Sequence, residues 1–469
     1  MIRARMLKRM ALTLPALALA ACSMAPKYVQ PPLPAPASWP VGDAYLAQSE
    51  ASLPLVSYSD VFRDPRLQKL VEQALANNRD LRVAAANVAA ARAQVRVTRA
   101  DQIPALGVTG SGTRTQVNGS GDSTALSLKG GISSFELDFF GKYASATQAQ
   151  RDTAVSTEAD ARTVRLGLVA DLAQAWANYG ADSDLLKIAE ATAANAERSV
   201  TLTGARLKGG IAPRTDLRQA EQVLETARGD LAVQKTALAQ DINAIRLLVG
   251  ADFDQSLLPG GIDEVNASLA VLPAGTSSQV LLRRPDVVEA EYALRAANAD
   301  IGVARAQLFP SISITGLLGF ASGALSSLFD KGAFSATAGA DASWTIFNAG
   351  GKAANVDVSK AKRDAALATY EKSIQTAFSE VADALADQGT LAERLRAASA
   401  YSGAAADSAK LTEASYKQGI SSSLDNLDAQ RSLYTARKQE IAVRLAVASN
   451  RVTLYRVLGG DQATAPEQR

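Results

Sequence analysis

The chain has no histidine and a single cysteine among its 469 residues. The lack of histidine excludes Ser-His-Asp and Cys-His catalysis, as well as zinc sites that depend on histidine. One cysteine can form neither a disulfide within the chain nor a cysteine cluster for a metal. The charges nearly cancel, with 49 basic and 47 acidic residues, so there is no electrostatic basis for a nucleic-acid partner. An enzyme built on this chain would have to work with carboxylates or lysine alone.

The cysteine lies at the end of a secretion signal. Residues 1–21 combine a basic start with an apolar run, 10–21, that is too short to span a bilayer. The sequence LAAC at 19–22 predicts cleavage before Cys22 and acylation of the new N-terminus, an anchor that gains about 0.8 kcal/mol per buried CH₂. Ser23 instead of aspartate predicts sorting to the outer membrane. The alternative is an ordinary signal peptide with an incidental cysteine.

Most of the remaining chain is an internal sequence duplication. RADQIPALGVTG at 99–110 matches RAQLFPSISITG at 305–316, and residues 205–228 match 414–437 at a spacing of 209. These matches predict two copies of one supersecondary unit. We expect a signal peptide at 1–21, a lipid-anchored proline-rich segment at 22–63, repeats at 64–260 and 261–458, and a tail at 459–469.

Both repeats predict the same order of elements, and a short amphipathic helix at 64–78 precedes the first copy. An Ala-rich helix of about 22 residues ends near Pro104 or Pro310, because proline cannot continue a helix. Two strands of alternating polarity follow. Then come a long helix, at about 146–208 or 352–418, a glycine turn and a return helix of about 36 residues. Five aliphatic residues recur every seven positions on the first return helix and predict a coiled-coil seam: Leu217, Leu224, Leu231, Leu238 and Ile245.

The strands predict an oligomer. Four strands cannot close a barrel, which needs about eight, and an open edge is not tolerated in hydrocarbon. The Ala-rich helix and the return helix together have about the length of the long helix, so we expect them to stack end to end beside it.

Glycine followed by lysine, at 141–142 and 351–352, could suggest a phosphate-binding loop. A P-loop requires a glycine five residues before the last glycine and Ser or Thr after the lysine, and neither stretch has them. We interpret both as corners where a strand changes into a helix.

Several stretches together resemble the outer membrane factor family, known from TolC, and its lipoprotein branch that serves multidrug efflux pumps. They are LAAC, PKYVQPPLPAPASW at 26–39, FRDPRLQKLVEQALANNRDL at 62–81, the RRPD stretch at 281–316 and LDAQRSLYTAR at 427–437. The resemblance implies a homotrimer with a twelve-stranded β-barrel in outer membrane lipid and a helical tunnel across the periplasm. It implies passive conduction, with a periplasmic adaptor and an inner-membrane transporter of the resistance-nodulation-division type as partners. No catalysis, cofactor or metal is expected.

The resemblance also implies a periplasmic gate. LDNLDAQ at 424–430 matches the stretch that carries pore-constricting aspartates, here Asp425 and Asp428, and Tyr416 matches a residue that ties neighbouring helices shut. Leu424 and Asp428 share a helix face, so we include Leu424 as an apolar partner. In a trimer the aspartates would form rings of carboxylates. The alternative is a helix cap, which suits Asp425 better than Asp428.

The two glycine turns are predicted to dock the adaptor, because glycine lets a partner approach a helix end closely. These tips comprise Gly209, Gly210, Ile211, Gly419 and Ile420. Two other functions remain open: a channel of the same fold for type I protein secretion, and a lipid-anchored coiled-coil protein without a pore. The alternating strands favour a channel, and lipidation with the proline-rich segment favours drug efflux.

Overall fold

The computed structural model describes residues 23–45, 57–117, 121–272 and 278–460. The signal peptide, Cys22 and most of the tail lie outside these residues. The chain divides into two compact units. The first combines Ala86–Glu158 and Glu289–Glu371 with the N-terminal residues up to Pro32, and the second holds Leu33–Ala85, Ala159–Val288 and the chain from Lys372 onward.

The first repeat has the predicted order of elements. After the short helix α1 (Tyr58–Val61), which precedes the repeat, its helices and strands are α2 (Pro65–Asn77), α3 (Arg79–Ala100), β1 (Gly107–Val117), β2 (Gly121–Glu136), α4 (Lys142–Lys208) and α5 (Arg214–Val249). The Ala-rich helix α3 has the expected 22 residues. The long helix α4 has 67 residues, which corresponds to about 100 Å at 1.5 Å per residue.

The second repeat follows the same order. Its elements are α6 (Ile262–Ser268), α7 (Pro285–Ala306), β3 (Ser311–Ser322), β4 (Phe334–Ser343), α8 (Gly351–Lys417) and α9 (Ser423–Val457), with short 3-10 turns at Gln255–Leu257, Ser278–Arg283 and Leu325–Ser327. Helices α7 and α8 have 22 and 67 residues, the lengths of α3 and α4. Among the described residues, none of the helices is both long and apolar enough to cross a membrane.

In the first unit the strands form one antiparallel sheet in the order β1-β2-β3-β4. Residues directly opposite each other lie on the same face of a sheet. Leu128 pairs with Phe320 on an apolar face, whereas Lys129 pairs with Thr109 on a polar face. The sheet therefore has one apolar and one polar face at these positions, as the alternating pattern predicts.

A bulge interrupts the pairing of β2 with β3. Ile132 lies opposite Gly316, but Phe135 lies opposite Ile314, so β2 has one residue more than β3 between these pairs. Gly131, just before the bulge, has a φ of +144°. A Cβ there would lie 2.1 Å from the Gly316 carbonyl oxygen, so this position requires glycine.

The N-terminal segment from Met24 to Gln30, which we call the strap, packs on α7 in the first unit. Asn298 Nδ2 donates to the Pro26 carbonyl at 2.7 Å, and Arg305 Nη1 donates to the Met24 carbonyl at 3.2 Å. Gly302 leaves room for the strap, since a Cβ there would lie 2.8 Å from the Ala25 Cβ. The proline-rich segment is thus bound to the helices along this stretch rather than a free spacer.

The strap ends in a charged and aromatic contact. Tyr28 Oη donates to Glu291 at 3.3 Å, and Arg295 Nη2 holds the same carboxylate at 2.6 Å. The Arg295 guanidinium lies 4.8 Å from the centre of the Tyr28 ring. Burial of the hydroxyl and the nearby Glu291 charge raise the pKa of Tyr28 to about 12, so the hydroxyl stays protonated and remains a donor.

In the second unit the RRPD motif has a packing role. Arg284 is buried, and its Nη2 lies 2.7 Å from both Asp286 and Glu380. Its Nη1 donates to the Val457 carbonyl at 2.9 Å. This guanidinium therefore connects the start of α7 and the last turn of α9 to the middle of α8. Because two carboxylates and a carbonyl surround it, the buried charge is compensated.

Candidate periplasmic gate

The two glycine turns of the second unit have the same backbone. Gly210 and Gly419 have φ values of +73° and +79°. Ile211 N donates to the Arg206 carbonyl at 2.9 Å, and Ile420 N donates to the Ser415 carbonyl at 2.9 Å. These bonds, with a left-handed glycine, define a Schellman ending of each long helix.

Each turn exposes an isoleucine. Ile211 is 78% exposed and Ile420 is 75% exposed. Gly209 has no positive φ, and the second turn has Gln418 at the matching place. The backbone therefore requires Gly210 and Gly419 but not Gly209, and an apolar side chain marks both turns.

Helix α9 begins with a capping box. Ser422 Oγ accepts from the Asp425 backbone N–H at 3.1 Å, and Asp425 Oδ2 accepts from the Ser422 N–H at 3.1 Å. The hydrogen bond from the Ser422 hydroxyl, followed by that from the backbone, lowers the pKa of Asp425. The helix-cap interpretation of Asp425 thus describes its local bonds, and its carboxylate is charged at neutral pH.

Asp428 has no capping role. Its carboxylate is largely exposed and lies 3.3 Å from Arg431 one turn further along α9. Leu424 is also exposed. Leu424, Asp425 and Asp428 line one cavity of about 630 Å³ together with hydroxyl groups of α8, which are those of Tyr401, Ser408 and Thr412.

Tyr416 lies in the last turn of α8 and does not line that cavity. Its ring is buried, and its hydroxyl lies 3.1 Å from Thr203 Oγ1 on α4. The Arg206 guanidinium is 4.2 Å from the ring centre, and its Nη2 donates to the Tyr416 carbonyl at 2.7 Å. The same group donates to the Lys417 carbonyl at 3.3 Å. We call Thr203, Arg206 and Tyr416 the tyrosine contact.

The sequence did not identify Thr203 and Arg206 as site residues. Arg206 satisfies carbonyl groups at the C-terminus of α8, where a positive charge is favourable. The sequence does carry one signal, because the repeats differ here: the second has Ser415 at the position that matches Arg206, and the first has Leu207 where the second has Tyr416.

The arrangement can hold helix ends together and present negative charge beside them. Helices α4 and α8 are joined there by one cation–π contact and three hydrogen bonds, two of which come from the charged Arg206 guanidinium. The carboxylates of Asp425 and Asp428 are open to water beside it. Such a site can attract cations and control the separation of helices, and it does not resemble a catalytic centre.

Comparisons with known proteins agree with this geometry. A family model described as outer membrane efflux protein matches residues 70–251 and 276–460. The two matched segments confirm the internal duplication. The toluene efflux pump outer membrane protein TtgC of Pseudomonas putida is 40% identical over 461 residues, which cover 96% of this chain and 95% of TtgC.

A second relative is the cation efflux system protein CusC of Escherichia coli, which is 38% identical over 95% of this chain and 97% of CusC. A crystal structure of CusC superimposes with a TM-score of 0.83 at 38% identity and covers 94% of this chain and all of that one. The predicted fold class, with long helices, four strands per chain and a duplicated unit in a trimeric channel, is confirmed. The predictions of a passive channel instead of an enzyme, and of an outer membrane location reaching into the periplasm, are confirmed as well. Two matched segments of the family model and two relatives aligned over nearly their whole length establish that this chain belongs to the outer membrane efflux protein family.

Proposed function

We propose that three copies of this chain form the exit duct of a tripartite pump, and that the duct closes at the turns of α8 and α9. The observation that carries this proposal is the grouping of Leu424, Asp425 and Asp428 on one cavity beside the tyrosine contact. Like charges around a narrow axis repel each other, so the closed state depends on contacts such as Arg206 with Tyr416.

The carboxylates give the gate a testable electrical property. Single-channel recordings in planar bilayers should show cation preference and block by multivalent cations. The double variant Asp425→Asn with Asp428→Asn should lose much of both. Glu221→Gln, on the first return helix, is the matched control. If selectivity and block are unchanged in an intact trimer of the double variant, the constriction lies elsewhere.

The cargo we propose is organic: drugs and other small toxic compounds. TtgC is named for toluene, whereas CusC is named for cations, so relatives of similar identity differ in cargo. A host lacking its own outer membrane channels, supplied with this chain and its cognate pump, should gain resistance to organic solvents and antibiotics. Resistance confined to metal salts would contradict the organic cargo.

The partners we propose are a periplasmic adaptor and an inner-membrane transporter of the resistance-nodulation-division type. The exposed Ile211 and Ile420 at glycine turns suit an apolar contact with the helical hairpin of an adaptor. Gly210→Val and Gly419→Val would strain the left-handed turn and should reduce drug resistance. Trimer yield serves as the control, and unchanged resistance in both variants would exclude docking at the turns.

The anchor we propose is an acylated Cys22. Radiolabelled palmitate should enter the wild-type chain but not Cys22→Ser, and equal labelling would exclude this site. We further propose that the repeats extend over 64–260 and 261–458, between the anchored segment at 22–63 and the tail at 459–469. A chain truncated after residue 458 should therefore still assemble.

A further inference from the structure

The sheet of the first unit has two edge strands, β1 and β4. An edge strand exposes unpaired N–H and C=O groups, and in hydrocarbon such groups must be paired. The occupant that the duplication favours is a second copy of this chain, with its β1 beside β4. This inference rests on the closed ring of the proposed function and adds the register of the subunit seam.

The chain already contains the equivalent of that seam. Strand β2 ends the strand pair of the first repeat, and β3 begins that of the second, so the β2–β3 junction joins one repeat to the next. In a closed ring, β4 of one subunit meets β1 of the next subunit in the same order. The register of β2 with β3 therefore gives the register of β4 with the neighbouring β1.

The residues of the second repeat that are equivalent to those of the first can be found from the glycines before the long helices and from the paired residues of the strands. Gly141 and Gly350 both have positive φ at the start of a long helix and are 209 residues apart. The sequence alignment places β1 on β3 with a spacing of 206, so Gly107 matches Ser313. Gly107 pairs with Gly131 and Ser313 pairs with Asp341, which makes Gly131 and Asp341 equivalent.

Equivalent residues of β2 and β4 thus differ by 210 in residue number before the bulge and by 209 after it. The extra residue of β2 between Ile132 and Phe135 accounts for this difference. Strand β4 has no extra residue at that place. The seam between subunits should therefore run without a bulge.

One pair of residues on each side of the bulge leads to the same register between subunits. Phe135 opposite Ile314 becomes Trp344 opposite Val108 of the next subunit, because these positions are equivalent. Gly131 opposite Leu317 becomes Asp341 opposite Ser111 of the next subunit. Both results belong to one continuous antiparallel register.

We propose that β4 pairs with β1 of the next subunit in that register from Ser335 to Ser343. On the polar face it places Ser343 opposite Thr109 of the next subunit and Thr337 opposite Thr115 of the next subunit. Hydroxyl groups that face each other across strands can form hydrogen bonds. Strands β2 and β4 then hold equivalent places in the ring, but only β2 is bent by a bulge.

The polarity of the strands supports the register independently. Along β4 the polar face carries Ser335, Thr337, Asp341 and Ser343, and along β1 it carries Thr109, Ser111, Thr113 and Thr115. The proposed register brings these two sets together. A shift by one residue would put the polar side chains of β1 opposite the alanines of β4, which are Ala336, Ala338, Ala340 and Ala342. Polarity therefore excludes odd shifts, and the duplication selects among the even ones.

Disulfide formation between subunits tests the register. Residues directly opposite have Cα atoms about 4.5–5.5 Å apart, within the range of about 4.4–6.8 Å that a disulfide needs. Positions shifted by two lie about 7–8 Å away. Within one chain β1 and β4 are three strand spacings apart, about 14 Å, so a disulfide in this pair must join two subunits.

The full-length chain would carry Ser343→Cys with Thr109→Cys, or Thr337→Cys with Thr115→Cys. Shifted pairs, Ser343→Cys with Ser111→Cys and Thr337→Cys with Thr113→Cys, are the matched controls. Ser127→Cys with Ala321→Cys tests oxidation and folding at the equivalent junction inside the chain, where these residues are paired. Single-cysteine variants reveal any bond to Cys22.

We expect mild oxidation of membranes to give covalent trimers, visible on non-reducing gels, for both proposed pairs and not for the shifted pairs. Covalent trimers from a shifted pair alone would overturn the register and keep the closed ring. No covalent species from any pair between subunits, with an oxidised Ser127–Ala321 control, would overturn the proposed register.

Discussion

The two turns that end α4 and α8 share a backbone but differ in the side chains around it. Both have a left-handed glycine followed by an exposed isoleucine. At the start of the return helix the first repeat has Pro213, without a side-chain cap, whereas the second has Ser422 in a capping box. The first repeat has Gln219 where the second has Asp428. The copies share the turn and the acidic residue that follows it, Asp216 or Asp425, and they differ at Tyr416 and Asp428 of the proposed gate.

The tyrosine contact depends on the same difference. The first repeat supplies Arg206 and the second supplies Tyr416, while the matching positions hold Ser415 and Leu207. A contact of this kind cannot form twice in one chain. The two similar turns therefore contribute different side chains to one contact, and substitutions that make the turns alike should remove it.

The largest effect is expected from Arg206→Ser, which gives the first turn the residue of the second. It removes a cation–π contact and two charged hydrogen bonds, roughly 2 kcal/mol, or about a thirtyfold shift from closed to open. The measurement is channel open probability in planar bilayers, with entry of large antibiotics into cells as a second readout. Lys208→Ser at the same turn is the control. Equal open probability in both variants would show that the contact does not hold the closed state.

A smaller effect is expected from exchanging the charge between turns. Asp428→Gln should lower the cation-to-anion permeability ratio, and Gln219→Asp should raise it. Each exposed charge contributes roughly 0.5–1 kcal/mol, about a two- to fivefold change in the ratio, and less at high salt. Reversal potentials in a salt gradient measure it. A null result for both exchanges would mean that neither turn faces the ion path.

The cap is expected to have a local effect. Ser422→Ala should destabilise the first turn of α9 by about 1 kcal/mol, because the Asp425 backbone N–H loses its side-chain acceptor. Hydrogen exchange of residues 423–426 should become about fivefold faster, as 1.4 kcal/mol is a factor of ten. Pro213→Ala, where no side-chain cap exists, should leave exchange at the start of α5 nearly unchanged. Equal acceleration at both helices would contradict the role of the capping box.

The smallest effect concerns pH. Burial and the charge of Asp182 raise the pKa of Asp241 to about 7, whereas the matching Asn450 is neutral and donates to the Ala384 carbonyl. A folded-state pKa above the unfolded value of about 3.9 means that the stabilisation is full below about pH 4 and is lost as pH rises towards 7.

Asp241→Asn should therefore remove part of the fall in melting temperature between pH 4 and pH 7. Thermal unfolding of detergent-solubilised trimers measures this fall, and Asp252→Asn, at an exposed carboxylate, is the control. The same pH dependence in Asp241→Asn and the wild-type chain would mean that Asp241 titrates normally in the fold.

Elements with strong local signals were predicted from the sequence. The lengths of α4 and α8 follow from runs without proline, and the glycine turns follow from KGGI and KQGI. The heptad seam was predicted as well, and Leu224 packs with Ala196 and Ala227. Such features depend on residues close together in the chain.

Features that depend on distant residues were not predicted. The contact of Arg206 with Tyr416 joins residues 210 positions apart, and neither position is unusual in its own helix. The bulge in β2 does leave a sign, because the apolar residues change from even positions, Leu128 and Ile132, to the odd position Phe135, but the sequence analysis did not use this change. The packing of the strap on α7 depends on the small size of Gly302, which a helix pattern does not reveal.

The strap also has a consequence for the timing of biogenesis. Met24, Pro26 and Tyr28 are synthesised early, yet they bind Arg305, Asn298 and Glu291. These partners are synthesised more than 260 residues later. At about 5–20 residues per second, the N-terminus waits roughly 10–60 seconds before its binding site exists. During that interval the strap has no partner among the residues already synthesised on α7, and its docking marks the arrival of the second repeat.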